Sequence, residues 1–227
     1  MKLIFALPLL GFASAINYDI NCDANPTHLF CTDRTFSGSF ATTIASMNEM
    51  GCWCYFDDDH GRGKGQPIDD LDGVCKTLHE GYECAMRDAE AEGTTCVPWE
   101  VAYVSAVGGA TTTLQEACMD ANPGNMCACR ACTVEGNFVE SLIAFFVIQG
   151  GSLNQANKHS NGFNPKTDCP IKAGGSGPSE KSCCGEYPNR FPFKTLGGDR
   201  SCCGSRTFST LTLNCCDADA SQVKFNC

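Results

Sequence analysis

The run Cys75-Lys-Thr-Leu-His79-Glu80-Gly-Tyr-Glu83 puts an imidazole and a carboxylate side by side, directly after the loop GCWCYFDDDHGRGKGQP of residues 51–67. Histidine exchanges a proton near neutral pH, so His79 is a candidate general base. Glu80 beside it is a candidate ligand for a hard cation, and calcium needs roughly six to eight oxygens. Asp57, Asp58 and Asp59 are the carboxylates of the preceding loop. A plainer account stays open: a histidine at the packing boundary of a helix, preceded by a solvated acidic loop.

Whichever holds, a helix must carry His79. Pro67 and the aspartates at 69, 70 and 72 are helix-opening chemistry, and Gly93 closes the pattern. Leu71, Val74, Cys75, Leu78, Tyr82 and Ala85 recur at helical spacing and form the expected buried face. A second helix is expected after the Asn122-Pro123-Gly124 turn, running through MCACRACTVEGNFVESLIAFFVI, and cysteines on both helices would staple them side by side. Beyond residue 150 the chain turns rich in Gly, Ser, Asn and Pro. There SCCG at 182–185 and 201–204, then NCCD at 214–217, alternate with short aromatic and β-branched pieces that suit disulfide-held hairpins. Adjacent cysteines seldom bond to each other, so each pair should send its members to different partners.

Nineteen cysteines in 227 residues suit an oxidising compartment. Lys2, the apolar stretch LIFALPLLGFA and the triplet Ala13-Ser14-Ala15 read as a secretory signal peptide of residues 1–15. The organisation expected is therefore a signal peptide at 1–15, a helical module at 16–150 and a cysteine-rich module at 151–227 in an extracellular protein. The apolar run 142–148 falls far short of the roughly 18 to 20 residues that span a bilayer, and reads first as core. Zinc is the rival use of the close cysteine spacings, and the signal peptide weighs against it. The odd count leaves one thiol free or paired with another chain. A formal charge of −10 argues against a nucleic-acid partner and suits divalent cations, although acidity also simply keeps a secreted chain soluble.

Gly51-Cys-Trp-Cys54, Gly63-Lys-Gly65-Gln-Pro67, Asp69-Asp-Leu-Asp72 and Cys75-x-x-x-His79-Glu80 together resemble the secreted phospholipases A2. The resemblance is close over residues 51–85 and looser over 96–145. It implies a mainly α, disulfide-rich fold built on a pair of antiparallel helices, with His79 as the base that activates water against the sn-2 ester of a phospholipid. It further implies Glu135 on the second helix as the acid that orients His79. Calcium would be held by Glu80 and by loop oxygens at Trp53, Tyr55, Asp57, Asp58 and Asp59. The implied partner is a phospholipid or membrane surface.

The same resemblance implies the pairings Cys54–Cys75, Cys96–Cys127 and Cys118–Cys132. Two family bridges have both ends replaced, at Val74 with Ser141 and at Tyr82 with Val134, which leaves Cys84 and Cys129 to form a new bridge between the helices. The tail cysteines 169, 183, 184, 202, 203, 215, 216 and 227 should pair mostly among themselves, with Cys52–Cys227 as the possible tie between modules. Three positions depart from the family pattern. Glu80 replaces an aspartate, and its extra methylene matters where calcium–oxygen distances are about 2.3 to 2.6 Å. The loop YFDDDHGRG is longer than the family's. Glu83 stands where a tyrosine would support the second-helix acid, which would bring Glu83 and Glu135 together. The tail resembles the dicysteine repeats of galaxin-type matrix proteins. Two functions therefore follow: a calcium-dependent phospholipase A2, or a non-catalytic structural protein of an extracellular matrix or coat that uses the phospholipase frame as a scaffold.

Overall fold

The computed structural model describes Ile16, Tyr18, Ile20, Cys22, Asp23 and residues 26–56, 63–169, 180–219 and 221–227. The signal-peptide reading of residues 1–15 and the aspartates 57–59 lie outside the described residues. Two early helices, the four-residue α1 (Leu29–Thr32) and the fourteen-residue α2 (Arg34–Met47), precede the site loop. The first long helix, α3, spans Asp70–Ala91; α4 spans Leu114–Ala121, α5 Met126–Ile143 and α6 Pro165–Asp168. Three two-stranded antiparallel hairpins follow: β1 (Lys181–Cys184) with β2 (Phe191–Lys194), β3 (Arg200–Cys203) with β4 (Arg206–Ser209), and β5 (Asn214–Asp217) with β6 (Gln222–Lys224).

α3 begins where its sequence chemistry places it. Asp69 is the N-cap and accepts the Asp72 N–H at 2.8 Å, with Asp70 and Asp72 in the first turn. Its buried residues include Leu71, Cys75, Leu78, Tyr82 and Ala85, while Val74 is half-buried against the same core. α4 is capped by a box in which Thr113 and Glu116 satisfy each other's backbone donors. α5 continues through one wider turn at Ala144–Ile148. Met126–Ile148 is thus long and apolar enough to cross a membrane by length and composition, unlike the heptapeptide 142–148 taken alone. Most of α5 is nevertheless core, including Val134, Phe138, Val139 and Leu142.

Gly81 lies against Val134, Ala89 packs near Cys127, and Arg130 pairs with Glu92, so α3 and α5 run antiparallel. A Cβ on Gly81 would stand 2.8 Å from both Val134 methyls. The two helices thus approach closely at Gly81 and Val134. Ile16, Tyr18 and Ile20 are buried in the same cluster, with the Tyr18 hydroxyl donating to the Ala106 carbonyl.

Nine disulfides bind eighteen of the nineteen cysteines. Cys54–Cys75, Cys96–Cys127 and Cys118–Cys132 form as the resemblance implies. Cys84 does not bond to Cys129. It bonds to Cys183 on β1, and Cys129 is a buried free thiol. The physical reason is the direction each helix faces: Cys129 sits in the main core, whereas Cys84 lies on the side of α3 that meets the first hairpin. Cys52 bonds to Cys169, and Cys227 to Cys216, in place of Cys52–Cys227.

Residues 151–169 double back onto the first module, so the change in composition near 150 precedes the change in packing. Asn157 donates to Asp69, the Gly51 N–H donates to the Asn157 carbonyl, and the His159 ring lies 2.8 Å from the Gly51 carbonyl. Six of the eight tail cysteines pair among themselves, and Cys169 and Cys183 tie the tail to the helices. Each dicysteine lies in a strand, where successive side chains point to opposite faces. One cysteine therefore reaches back and its neighbour forward: Cys183 to α3, Cys184 to Cys202, Cys203 to Cys215, Cys216 to Cys227. Gly204 follows the second pair at φ +58°, with any Cβ only 2.1 Å from the Ala218 carbonyl, so glycine is required for the hairpins to stack.

Candidate active site

Asp72 fixes the loop that faces His79. It is buried, and its carboxylate accepts the N–H groups of Cys52 and Trp53 at 2.9 and 2.7 Å and of Ile68 at 3.0 Å. Burial pushes its pKa up, against the downward pull of those three donors. The Trp53 carbonyl accepts the Tyr55 N–H at 2.9 Å, closing the loop into a turn, and the Tyr55 ring is buried beside His159 at 5.5 Å.

His79 is 5% exposed, on the floor of a cleft of about 460 Å³. That volume is in the range of small-molecule sites. Trp53 and Gly63 of the loop, Glu80, Tyr82, Glu83, Met86 and Arg87 of α3, and Trp99 also line it. The opposite wall is Lys181, Pro192, Phe193 and Lys194 of the first tail hairpin.

Glu135 is fully buried on α5. Tyr82 Oη donates to its Oε1 at 2.8 Å, and the Tyr103 hydroxyl donates to its Oε2. Burial first, and then the Glu135 charge, raise both phenol pKa values, so the tyrosines remain donors. The Tyr82 ring also stands edge-on to His79 with centroids 6.4 Å apart. The tyrosine support expected to be lost at position 83 is supplied by Tyr82 and Tyr103. Glu83 does not join Glu135: it accepts from Arg87 and from Lys181 Nζ at 2.6 Å, on the face toward the hairpin. Burial raises the Glu83 pKa, but those two cations outweigh it and the net value is lowered. Tyr82 was legible as a buried helix position, and its neighbour Glu83 turns out of the core by one step of the same helix. Tyr103 lies in an irregular segment with no local signal.

Glu80 is paired with Lys76 Nζ at 3.5 Å, and Lys76 lies 5.7 Å from the centre of the Trp53 ring. Burial raises the Glu80 pKa and Lys76 draws it back only in part. Among the described residues no group of three His, Cys, Asp or Glu side chains is placed to hold a metal. Glu80 with its charge offset by Lys76, and a Trp53 carbonyl already accepting from Tyr55, do not make a calcium site by themselves. Any such site would need further oxygen ligands, and Asp57, Asp58 and Asp59, expected among them, lie outside the described residues.

The chain matches no protein-family model and no curated protein at a significant level.

Proposed function

We propose that this is a secreted, phospholipase A2-like protein whose cleft accepts one lipid molecule over His79. On this reading His79 takes a proton from a water attacking the sn-2 ester, and Glu135 orients the imidazole across the helix pair. The observation that carries it is the buried carboxylate of Glu135, held by two tyrosine hydroxyls beside the helix turn that presents His79. Burying a carboxylate is costly, and a fully satisfied polar network in a core is a high-stakes feature that suits a site needing fixed geometry. The nine disulfides support an extracellular setting.

Hydrolysis of mixed phospholipid vesicles, with calcium titrated and His79→Gln as control, tests this reading. The expectation is turnover in the wild type that is lost in the variant. Equal rates in the two proteins would overturn it.

The second reading is a structural or matrix-binding protein in which the helix pair only anchors the tail. The pairing of Glu80 with Lys76 and the disulfide ladder rooted on α3 favour it. On that reading wild type and His79→Gln are equally silent toward lipid at every calcium concentration.

A further inference from the structure

The first hairpin is held to one side of α3 more firmly than a passing contact requires. Cys84–Cys183 is flanked by the Glu83–Lys181 ion pair, and Asp88 accepts two hydrogen bonds from Arg190 and one from Tyr187. These contacts set the hairpin as one wall of the His79 cleft. Its charge is unlike that of the rest of the chain. Arg87, Lys181 and Lys194 line the cleft against only Glu80 and Glu83, an excess of positive charge in a protein of net charge −10. Lys181 and Lys194 are direct cross-strand partners, an arrangement of like charges that destabilises a hairpin. Lys181 and Arg87 share Glu83, while the exposed Lys194 makes no ion pair among the described residues.

Beside these cations the cleft lining is apolar, with Trp53, Met86, Trp99 and Phe193. The buried indole N–H of Trp53 has no acceptor among the described residues.

We propose that the β1–β2 hairpin is the specificity wall of the cleft, and that it selects an anionic amphiphile whose charged head sits at Lys194 and Lys181 while its apolar body lies along Trp53, Trp99 and Phe193. The proposal rests on the lipid-site reading but does not need hydrolysis. It gives the tail a role in recognition as well as in architecture.

Both tryptophans of the chain line this cleft, so intrinsic fluorescence reports its occupancy directly. The intact protein is titrated with dodecyl phosphate below its micelle concentration, with dodecyltrimethylammonium as the charge-reversed amphiphile, and with inorganic phosphate alone. Dodecyl phosphate is expected to bind at least about tenfold more tightly than either, a difference of about 1.4 kcal/mol. Lys194→Gln, at an exposed strand end that does not test folding, should weaken dodecyl phosphate roughly threefold to tenfold. Lys224→Gln on β6 removes the same charge away from the cleft and should leave binding unchanged.

Equal affinity for the two amphiphiles, or an unaltered affinity in Lys194→Gln, overturns the proposal. Inorganic phosphate binding as tightly as dodecyl phosphate also overturns it, since the apolar wall would then add nothing. A protein that binds dodecyl phosphate selectively but hydrolyses no phospholipid refutes the hydrolase reading alone. Hydrolysis without charge preference refutes this proposal alone.

Discussion

The helical module and the tail reach order by different means. Around α3 and α5, large side chains such as Phe138, Leu142, Leu78 and Met47 are almost wholly removed from water in one continuous cluster. In the hairpins, Cys184, Phe193 and Cys203 are the buried apolar residues among those described. Three hairpins of so few residues bury too little apolar surface to offset their chain entropy, and cross-links that restrict the unfolded chain take over. The same cysteine chemistry thus reinforces a core in one region and stands in for a core in the other.

Phe138→Ala should separate the two regions most sharply. The ring is 1% exposed and packs against Phe56 at 5.7 Å, so its loss should cost about 3 to 5 kcal/mol. Denaturant unfolding followed by tryptophan fluorescence should show that loss, while amide exchange in β3–β6 stays unchanged. Simultaneous melting of both would erase the distinction. The converse experiment is the double variant Cys203→Ser/Cys215→Ser, which opens a link spanning 12 residues and should cost the tail about 3 kcal/mol with little effect on α3 and α5.

Gly81→Ala is smaller and tests the close contact between α3 and α5. With the new methyl 2.8 Å from Val134, it should destabilise the helical module by about 1 to 3 kcal/mol, and Val134→Ala in the same protein should restore part of that. Lys76→Met probes the site itself. If calcium engages Glu80, removing the part-exposed ion pair should strengthen calcium binding about twofold to fivefold by calorimetry, in line with the roughly 0.5 to 1 kcal/mol such pairs contribute. No change would separate Glu80 from any bound cation.

Acid reports on the seam between the regions. Glu83 has a folded pKa below its ordinary 4.5, so its pairs with Lys181 and Arg87 contribute fully above pH 4.5 and are lost as pH falls through the lowered value. Amide exchange in β1–β2 should therefore rise in that window, and Glu83→Gln should abolish the dependence.

Much of this organisation was legible. The caps and apolar spacing of α3, the turn before α5 and the strand-like dicysteine segments each carry a local signal. What was not legible is what covers an exposed helix face. The resemblance turns Cys84 and Glu83 toward the second helix, and nothing within α3 says that a hairpin nearly a hundred residues later will sit on them and on Asp88. Cys84 was accordingly given the wrong partner. At the site, His79 and Glu135 were visible as types, while their setting depends on Tyr103 from an irregular segment and on a wall from the tail. The segment Asn154–Cys169 has little pattern of its own, and its return to the loop at Gly51 is fixed by long-range hydrogen bonds and Cys52–Cys169.

The alternation of cysteine partners along the tail also has a mechanical meaning. From Cys227 a covalent route crosses to Cys216, steps one peptide to Cys215, crosses to Cys203, steps to Cys202, crosses to Cys184, steps to Cys183 and crosses to Cys84 on α3. A pulling force applied at that end would travel along these short links and bypass every hairpin loop. The tail would behave as a nearly inextensible tether, delivering tension to the helix that carries His79 without first unravelling a single strand.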